Sequence, residues 1–305
     1  MIRSAVPDDA AALVALRALV YPYLVRGTAS TRRTIIEPPP GEHWAGFVAE
    51  IDGRLIGWAG ARQNVTTSEA GVGEISLLHV HPDHRRYGVG SALLTASLQH
   101  LRRIGGIRRV RTWAQPASLD FARQHGFEPS RQVRYSVLDL RQSGPAALLG
   151  DDRIPEPDDV RLVPLSEVDA RSLYEVDSAA TADEPGDLPQ GETSYPTWKY
   201  DVWDDVGLDK KVSTAAIIGS AVVAFSLAQR DGNRIWSDMT ATVPQHRGRG
   251  LARLVKSETL RRAAAEGATV AYTANDESNA PMLAVNRRLG YRPMASQLSC
   301  LTTLP

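Results

Sequence analysis

Residues 244–252, PQHRGRGLA, place two arginines, two glycines and a proline in one short turn. A β-type run, IWSDMTATVP, precedes this turn, and a helix-type run, LARLVKSETLRRAAAEG, follows it. A strand that leads through a glycine-containing turn into a helix directs several backbone N–H groups at one point, where the helix dipole adds positive charge. Such a turn is a candidate phosphate site. The alternative is a tight connection that contains glycine for steric reasons alone.

A second copy of the turn, PDHRRYGVG, occupies residues 82–90, and both copies read RxxGxG/A. The surroundings match as well, because EISLLHVHP before the first copy is β-type and SALLTASLQHLRRIG after it is helix-type. Each half then continues into a further strand and a closing phrase, HGF or LGY. Two copies in one strand-turn-helix context favour phosphate binding over the steric explanation.

Two better-known phosphate loops do not fit these turns. A P-loop requires Gly-Lys followed by Ser or Thr, and neither turn contains it. A dinucleotide fingerprint requires a third glycine, where Leu93 and Arg253 stand, and it follows the first strand of its domain. These turns lie in the middle of each half, so a third type of site is required.

The repeat extends over most of the chain. The halves begin alike at Ile2 and Val160, and each predicts strand, helix, two hairpin strands, strand, helix, strand, helix and strand. The segment between them is rich in Pro, Gly and Asp and has no periodicity. We therefore predict an α/β protein with two domains, residues 1–142 and 158–305, and a linker at residues 143–157.

Composition limits the partners that the chain can have. The 305 residues, 43% of them hydrophobic, can bury two ordinary cores. The 35 basic and 35 acidic side chains cancel, which argues against nucleic acid or an anionic membrane as a partner. A single cysteine excludes an internal disulfide, and no signal peptide or membrane span is predicted. We expect a cytoplasmic monomer or homodimer without a metal site.

The motifs together resemble the GNAT acyltransferase superfamily: a strand that ends VxP, the RxxGxG/A turn, a helix, a strand and the closing LGY or HGF phrase. The resemblance covers nearly the whole chain, twice. It implies two tandem GNAT domains, each a mixed, mostly antiparallel sheet flanked by helices. It also implies acetyl-coenzyme A (acetyl-CoA) as the acetyl donor, with its pyrophosphate on the amides of the turn and its pantetheine arm between two splayed strands.

The resemblance assigns coenzyme A contacts to both halves. Val80 and Thr242 hold the positions whose backbone meets the pantetheine arm, and Asn279 holds a position on the last helix that touches the cofactor. The implied contacts are Val80, Arg85, Arg86, Tyr87, Gly88, Val89 and Gly90 in the first half, and Thr242, Arg247, Gly248, Arg249, Gly250, Leu251, Ala252 and Asn279 in the second.

Acetyl transfer to an amine requires that a base remove a proton, because an alkylammonium has a pKa of about 10.4. Glu74 holds a position where several members of the family carry their catalytic glutamate, and Asp238 lies two residues beyond the equivalent Trp236, on the same strand face. Either acid could instead be structural, capping a turn or lying in solvent. Both carboxylates are candidate catalytic residues. The family usually supplies a tyrosine as acid, but the corresponding residues here are Ala122 and Asn286.

Residues 183–209 distinguish the second half, because they hold eight acidic side chains and four large aromatic ones. This composition suits a cationic amine, although a solvated loop with aromatic anchors has the same composition. The sequence therefore predicts an acetyl-CoA-dependent N-acetyltransferase for a small-molecule amine, with the second half favoured as catalytic. Two alternatives remain open: a non-catalytic acyl-CoA-binding module, and an acetyltransferase of a protein amine.

Overall fold

A computed structural model of the chain describes residues 1–141, 157–181 and 184–304, so most of the predicted linker lies outside the described residues. The elements of the first half are β1 (Ile2–Ser4), α1 (Ala10–Val20), α2 (Thr28–Ile36), β2 (Ala45–Ile51), β3 (Arg54–Gln63), β4 (Val72–Val80), α3 (Val89–Ile104), β5 (Arg109–Ala114), α4 (Leu119–Gln124) and β6 (Glu128–Asp139). Those of the second half are β7 (Val160–Pro164), α5 (Ala170–Thr181), α6 (Tyr195–Trp198), β8 (Thr214–Ile218), β9 (Ala221–Asp231), β10 (Arg234–Thr242), α7 (Leu251–Ala265), β11 (Val270–Asp276), α8 (Ala280–Arg288) and β12 (Arg292–Thr303).

Two compact units divide the chain, and each draws on both sequence halves. Unit 1 comprises residues 1–133, 186–193 and 296–305, and unit 2 comprises residues 134–185 and 194–295. The predicted domains follow the sequence repeat, whereas the units follow contacts. The two divisions differ because β6 and β12 each belong to unit 1 for part of their length and to unit 2 for the rest.

The sheet of unit 1 has the strand order β1-β2-β3-β4-β5-β12. Its neighbours are antiparallel except for β4 and β5, which are parallel. Residues 298–303 of β12 complete the sheet by pairing with β5. Helix α3 packs on β2, β3 and β4, and the absence of a side chain at Gly57 permits this approach, since a Cβ there would lie 2.8 Å from Leu93.

The sheet of unit 2 has the strand order β6-β11-β10-β9-β8-β7, with β10 and β11 parallel and the β7–β8, β8–β9 and β9–β10 pairs antiparallel. Helix α7 packs on β8, β9 and β10 through a buried apolar stripe that includes Leu254 and Leu260. Helix α5 packs on β9 and β10 through Leu173, Val176 and Ala180. The structure thus confirms the predicted α/β class, with mixed, mostly antiparallel sheets flanked by helices.

Within the three described segments, no helix combines the length and the apolar composition required to cross a membrane.

We expect Cys300→Asp to destabilise unit 1, although position 300 belongs to the second sequence half. Cys300 is fully buried in the core cluster of unit 1, next to β5 in the sheet. An unpaired carboxylate buried at such a position costs about 3–5 kcal/mol. Hydrogen exchange measured by mass spectrometry should therefore become faster in β2–β5, while β8–β10 keep their protection.

Thr303→Asp is the matched control, because this position is exposed near the end of the same strand. It should leave hydrogen exchange unchanged in β2–β5 and in β8–β10. Loss of protection confined to β8–β10 in Cys300→Asp would contradict the placement of residue 300 in unit 1.

Candidate active site

The parallel strands β10 and β11 of unit 2 are hydrogen-bonded only where they begin. Their pairing covers residues 234–236 and 270–272, whereas β10 continues to Thr242 and β11 to Asp276. A cleft of about 1020 Å³ is lined by β10 beyond this pairing, by Ala274 and Asn275 near the end of β11, and by the start of α7. The strand geometry expected for the entry of a pantetheine arm is therefore present in unit 2.

The turn from β10 into α7 has the backbone geometry of an anion site. Gly248 and Gly250 have φ angles of +78° and +79°, a left-handed conformation that favours glycine. Helix α7 begins directly after Gly250, so the N–H groups of Leu251 and Ala252 have no acceptor within the helix. A Cβ on Gly248 would meet no atom within 4 Å, so the space beside this glycine of the turn is open.

The side chains around the turn reinforce its positive charge. Arg247 donates from Nε to the carbonyl oxygen of Thr242 at 3.2 Å and thereby ties the turn to the end of β10. Arg249 is directed elsewhere, because it pairs with Asp159 at 2.7 Å. The basic residues that line the cleft are His246, Arg247, Lys256, Arg253 and Arg288.

Most of the predicted second-half contacts lie along this one cleft. Asn279 is among them, and its side-chain oxygen accepts a hydrogen bond from the Met282 N–H at 3.2 Å as the N-cap of α8. The predicted residues that line the cleft are Thr242, Arg247, Gly248, Gly250, Leu251, Ala252 and Asn279, together with the candidate base Asp238.

The turn of unit 1 repeats this geometry with one difference. Gly88 has a φ of +80° and Arg85 donates from Nε to the carbonyl oxygen of Val80 at 3.1 Å, as the equivalent residues do in unit 2. Arg86, however, occupies the left-handed conformation that Gly248 holds in unit 2, with a φ of +69°. Tyr87 is exposed, and α3 begins at Val89, so the turn of unit 1 still presents a helix N-terminus.

Unit 1 differs from unit 2 beyond the turn. Strands β4 and β5 also cease to pair, after Ile75 and Thr112, but beyond that point aromatic side chains contact β4 and the residue that follows β5. The Tyr21 ring packs against the His79 ring of β4 with 5.5 Å between centroids, and the Tyr23 hydroxyl accepts a hydrogen bond from Gln115, the residue after β5. Both tyrosines are buried, and burial lowers the pKa of His79 to about 3.

Glu74, the candidate base of the first half, lies in an ion-pair network of unit 1. Its carboxylate accepts hydrogen bonds from Arg111 at 2.9 Å and from Arg62 at 3.4 Å. Burial opposes ionisation, but the two guanidinium groups outweigh it and lower the pKa of Glu74. A carboxylate stabilised in its charged form is a weak proton acceptor, so this environment favours a charge-pairing role.

Asp238, the candidate base of the second half, lies in a β-bulge. The register of β10 against β9 shifts between Ser237 and Thr240, and such bulges often redirect a side chain beside an active site. The carboxylate accepts hydrogen bonds from Gln229 at 3.0 Å and from Trp236 at 3.3 Å. Burial raises its pKa, which makes it a better proton acceptor than an ordinary carboxylate.

Asp177 of α5 is a second carboxylate in the cleft, and the sequence analysis missed it. Its Oδ2 accepts a hydrogen bond from the Trp198 indole at 2.6 Å, whereas Oδ1 is buried without a hydrogen-bond partner among the described residues. Burial, with smaller contributions from Asp238 and Glu184, raises the pKa of Asp177 to about 6. The sequence could have predicted this burial, because Asp177 is spaced from Leu173 and Ala180 so that it lies on the apolar face of the helix.

The acidic and aromatic segment, residues 183–209, is divided between two environments. Glu184 lines the cleft of unit 2, whereas Asp187 belongs to unit 1 and pairs with Arg111 and Arg131. Its aromatic side chains Tyr195, Trp198 and Trp203 join the core cluster that contains α5. The segment therefore both borders the cleft and anchors itself in the core of unit 2.

The positions of the family's usual tyrosine are buried. Ala122 lies in the core of unit 1, and Asn286 donates to the side-chain oxygen of Asn275 at 2.5 Å in unit 2.

A titratable side chain of another kind lines the cleft of unit 2, namely Lys256 of α7, which is 1% exposed. The sequence analysis did not single out Lys256, although its spacing from Leu260 and Ala263 places it on the buried face of the helix.

Each unit combines a mixed sheet, a glycine-containing turn at a helix N-terminus and a parallel strand pair that separates, which is the arrangement that the resemblance to acyltransferases predicted. Residues 14–127 and 174–291 each match the model of the acetyltransferase (GNAT) family. The chain belongs to this family, contains two copies of its domain and is an acetyltransferase.

Similar proteins include mycothiol acetyltransferases. The chain is 28% identical to that of Streptomyces griseus over 80% of its own length and 76% of the relative, and 26% identical to that of a Nocardioides species over 72% and 76%. Two solved structures share the fold. A tandem GNAT protein from the clavulanic acid biosynthesis pathway has a TM-score of 0.76 at 20% identity, covering 100% of this chain and 98% of that one. A GCN5-related N-acetyltransferase from Sphaerobacter thermophilus has a TM-score of 0.72 at 19% identity, covering 100% and 95%.

We expect Asp177→Asn to stabilise unit 2 at pH 7.5 but not at pH 3. Because the folded pKa of about 6 exceeds the ordinary value of 3.8, the stability of the wild type falls as pH rises through this window. This pKa shift corresponds to a loss of at most about 3 kcal/mol in the free energy of unfolding above pH 6. In the variant, the amide oxygen can still accept the Trp198 hydrogen bond. Thermal unfolding at both pH values measures the difference.

Glu175→Gln, an exposed change on the same helix, is the control and should have little effect at either pH. An equal change in the unfolding temperature of Asp177→Asn at both pH values would show that its carboxylate carries no such burial cost.

Proposed function

We propose that unit 2 transfers the acetyl group of acetyl-CoA to the amine of a small molecule. The observation that carries this proposal is that one cleft contains both the anion-binding turn after β10 and a group of carboxylates, Asp177, Glu184 and Asp238. A donor that carries phosphates requires positive charge, and a cationic acceptor requires negative charge. The turn supplies the first and the carboxylates supply the second.

The donor would be held at the turn. The amides of the first turn of α7 and the guanidinium groups of Arg253 and Arg288 are suited to its phosphates, and the two left-handed glycines allow close approach to the backbone. Acetyl-CoA bound there would supply an acetyl thioester. Thr242 and the rest of β10 beyond Trp236 border the space that its pantetheine arm would enter.

The acceptor would be held by the carboxylates. Asp177 has a buried oxygen without a hydrogen-bond partner in the described chain, so an ammonium group would satisfy it. Asp238 would take the proton that the amine loses as it attacks the acetyl carbon, a role that its raised pKa favours. The name of the similar proteins, mycothiol acetyltransferase, supports a small-molecule acceptor.

Unit 2 is favoured over unit 1 because their splayed strands have different neighbours. In unit 1 Tyr21 packs on His79 of β4, Tyr23 accepts a hydrogen bond from Gln115 just after β5, and Glu74 is held by two arginines. The carboxylates of unit 2 border a cleft of about 1020 Å³ instead. These contrasts support catalysis in the second sequence half.

We expect Gly250→Glu to abolish the binding of acetyl-CoA. The new carboxylate would face the phosphates, and like-charge contacts of this kind cost several kcal/mol, or at least about 100-fold in affinity. Gly88→Glu is the matched variant, because Gly88 has the same φ and also precedes a helix, so the backbone strain is equal. Calorimetric titration with acetyl-CoA should show loss of binding in Gly250→Glu alone.

Amine-dependent release of coenzyme A thiol, measured with polyamines, amino sugars and short peptides, tests the acceptor. Turnover of the small amines that is lost in Gly250→Glu is the expected result. Turnover restricted to peptide amines would contradict the small-molecule assignment, and loss of binding in Gly88→Glu alone would place the donor in unit 1.

A further inference from the structure

Lys256 is a buried titratable side chain of the cleft to which the proposed reaction has so far assigned no role. It is 1% exposed on α7, and among the described residues its hydrogen-bond acceptor is the Thr273 hydroxyl at 3.4 Å, a long contact for a charged donor. Its ammonium also lies 5.3 Å from the centre of the Tyr291 ring. A buried ammonium with so little hydrogen bonding is costly, and such groups concentrate at functional sites.

The position of Lys256 is where β10 and β11 separate. Hydrogen-bonded pairing ends at Trp236 and Tyr272, and in the next positions the Thr273 hydroxyl donates to the carbonyl oxygen of Ser237 at 2.9 Å. The Lys256 ammonium contacts this same hydroxyl. It therefore lies at the inner end of the strand opening, near the bulge that carries Asp238.

We propose that Lys256 donates the proton that the departing coenzyme A thiolate requires, in place of the tyrosine that this chain lacks. This inference rests on the proposed function of unit 2. The bound ammonium first loses one proton to solvent, and the neutral amine then attacks the acetyl carbon, a C–N bond forms, and the C–S bond breaks with its electron pair on sulfur. Sulfur takes a proton from Nζ of Lys256 while the amine nitrogen gives one to Asp238.

The proton that Asp238 gains balances the proton that Lys256 loses. After the reaction Asp238 carries one additional proton and Lys256 lacks one, and transfer from the carboxylic acid to the amine restores both groups. The two side chains interact electrostatically, since Asp238 is the acid that raises the pKa of Lys256. The net change is one amide and one thiol from one amine and one thioester, with no proton taken from solvent.

The charge state of Lys256 suits this role. Burial lowers its pKa to about 7, against the attraction of Asp238, whereas a thiol has a pKa of about 8.5, so proton transfer to the thiolate is downhill. The titratable groups that face Lys256 are Asp238 from β10 and the phenol of Tyr291 after α8, and burial raises the pKa of Tyr291. Since Tyr291 stays protonated near neutral pH, Lys256 governs the alkaline side of the rate profile.

The test compares Lys256→Met, Lys256→Arg and the control Lys211→Met, which removes an exposed lysine. Met approximates the length of Lys without its proton, and Arg retains the charge but donates poorly because its pKa exceeds 12. We expect both Lys256 variants to lose about 100-fold in kcat, while acetyl-CoA affinity stays within about 3-fold. The kcat of the wild type should fall as pH rises above about 7, and this decline should be absent in Lys256→Met.

Thermal unfolding of each variant first establishes that it is folded. A kcat near that of the wild type in Lys256→Arg would show that charge, and not proton donation, is required, and would overturn the inference. So would an unchanged alkaline decline in Lys256→Met, or an acetyl group found on Lys256 by mass spectrometry. Absence of amine-dependent thiol release in the wild type would overturn the proposed function itself, whereas turnover that both Lys256 variants retain would overturn this inference alone.

Discussion

The separation of one parallel strand pair is the constraint on which the site of unit 2 depends. Strands in a sheet satisfy their backbone N–H and C=O groups by pairing, so two neighbours that part after three residues leave polar backbone facing a gap. Side chains, water or a ligand can satisfy these groups. In unit 2 the edges of the gap carry Asp238, Thr242 and the turn into α7, and in unit 1 tyrosines contact His79 of β4 and Gln115 just after β5.

The two units place different side chains around a similar backbone. The turns are nearly the same, down to the arginine that bonds the last strand carbonyl in each unit. The difference lies in side chains that come from other elements. Tyr21 and Tyr23 follow α1 in unit 1, whereas Asp177 in α5 and Glu184 border the cleft in unit 2. Under the proposed function, the side chains that surround the repeated core distinguish the catalytic unit from the other.

Buried charge is the second feature of unit 2, and it opposes stability. The pKa of Asp177 is raised to about 6 and that of Lys256 is lowered to about 7, so folding holds both groups partly away from their preferred charged forms. Apolar residues at either position would fold more readily. Retention of such groups around one cleft agrees with a site that must bind a cation and move protons.

The sequence predicted those parts of the molecule that local residues determine. The two turns could be recognised because glycine at positions 88 and 250 is required by a left-handed backbone, and because the strand and helix beside each turn have clear periodicity. The α/β class followed from the same patterns. Asp177 and Lys256 were missed, since their importance arises from burial and from neighbours distant in sequence. The division of β6 and β12 between the units likewise depends on contacts that periodicity does not contain.

The central claim, that the turn of unit 2 holds the phosphates of acetyl-CoA, is tested most directly by hydrogen exchange of the unmodified protein with and without acetyl-CoA. Amides that bond a phosphate exchange slowly, so peptides that contain residues 248–252 should gain protection, while those that contain residues 86–90 should not change. Protection at residues 86–90 without any at residues 248–252 would contradict the claim and move the donor site to unit 1.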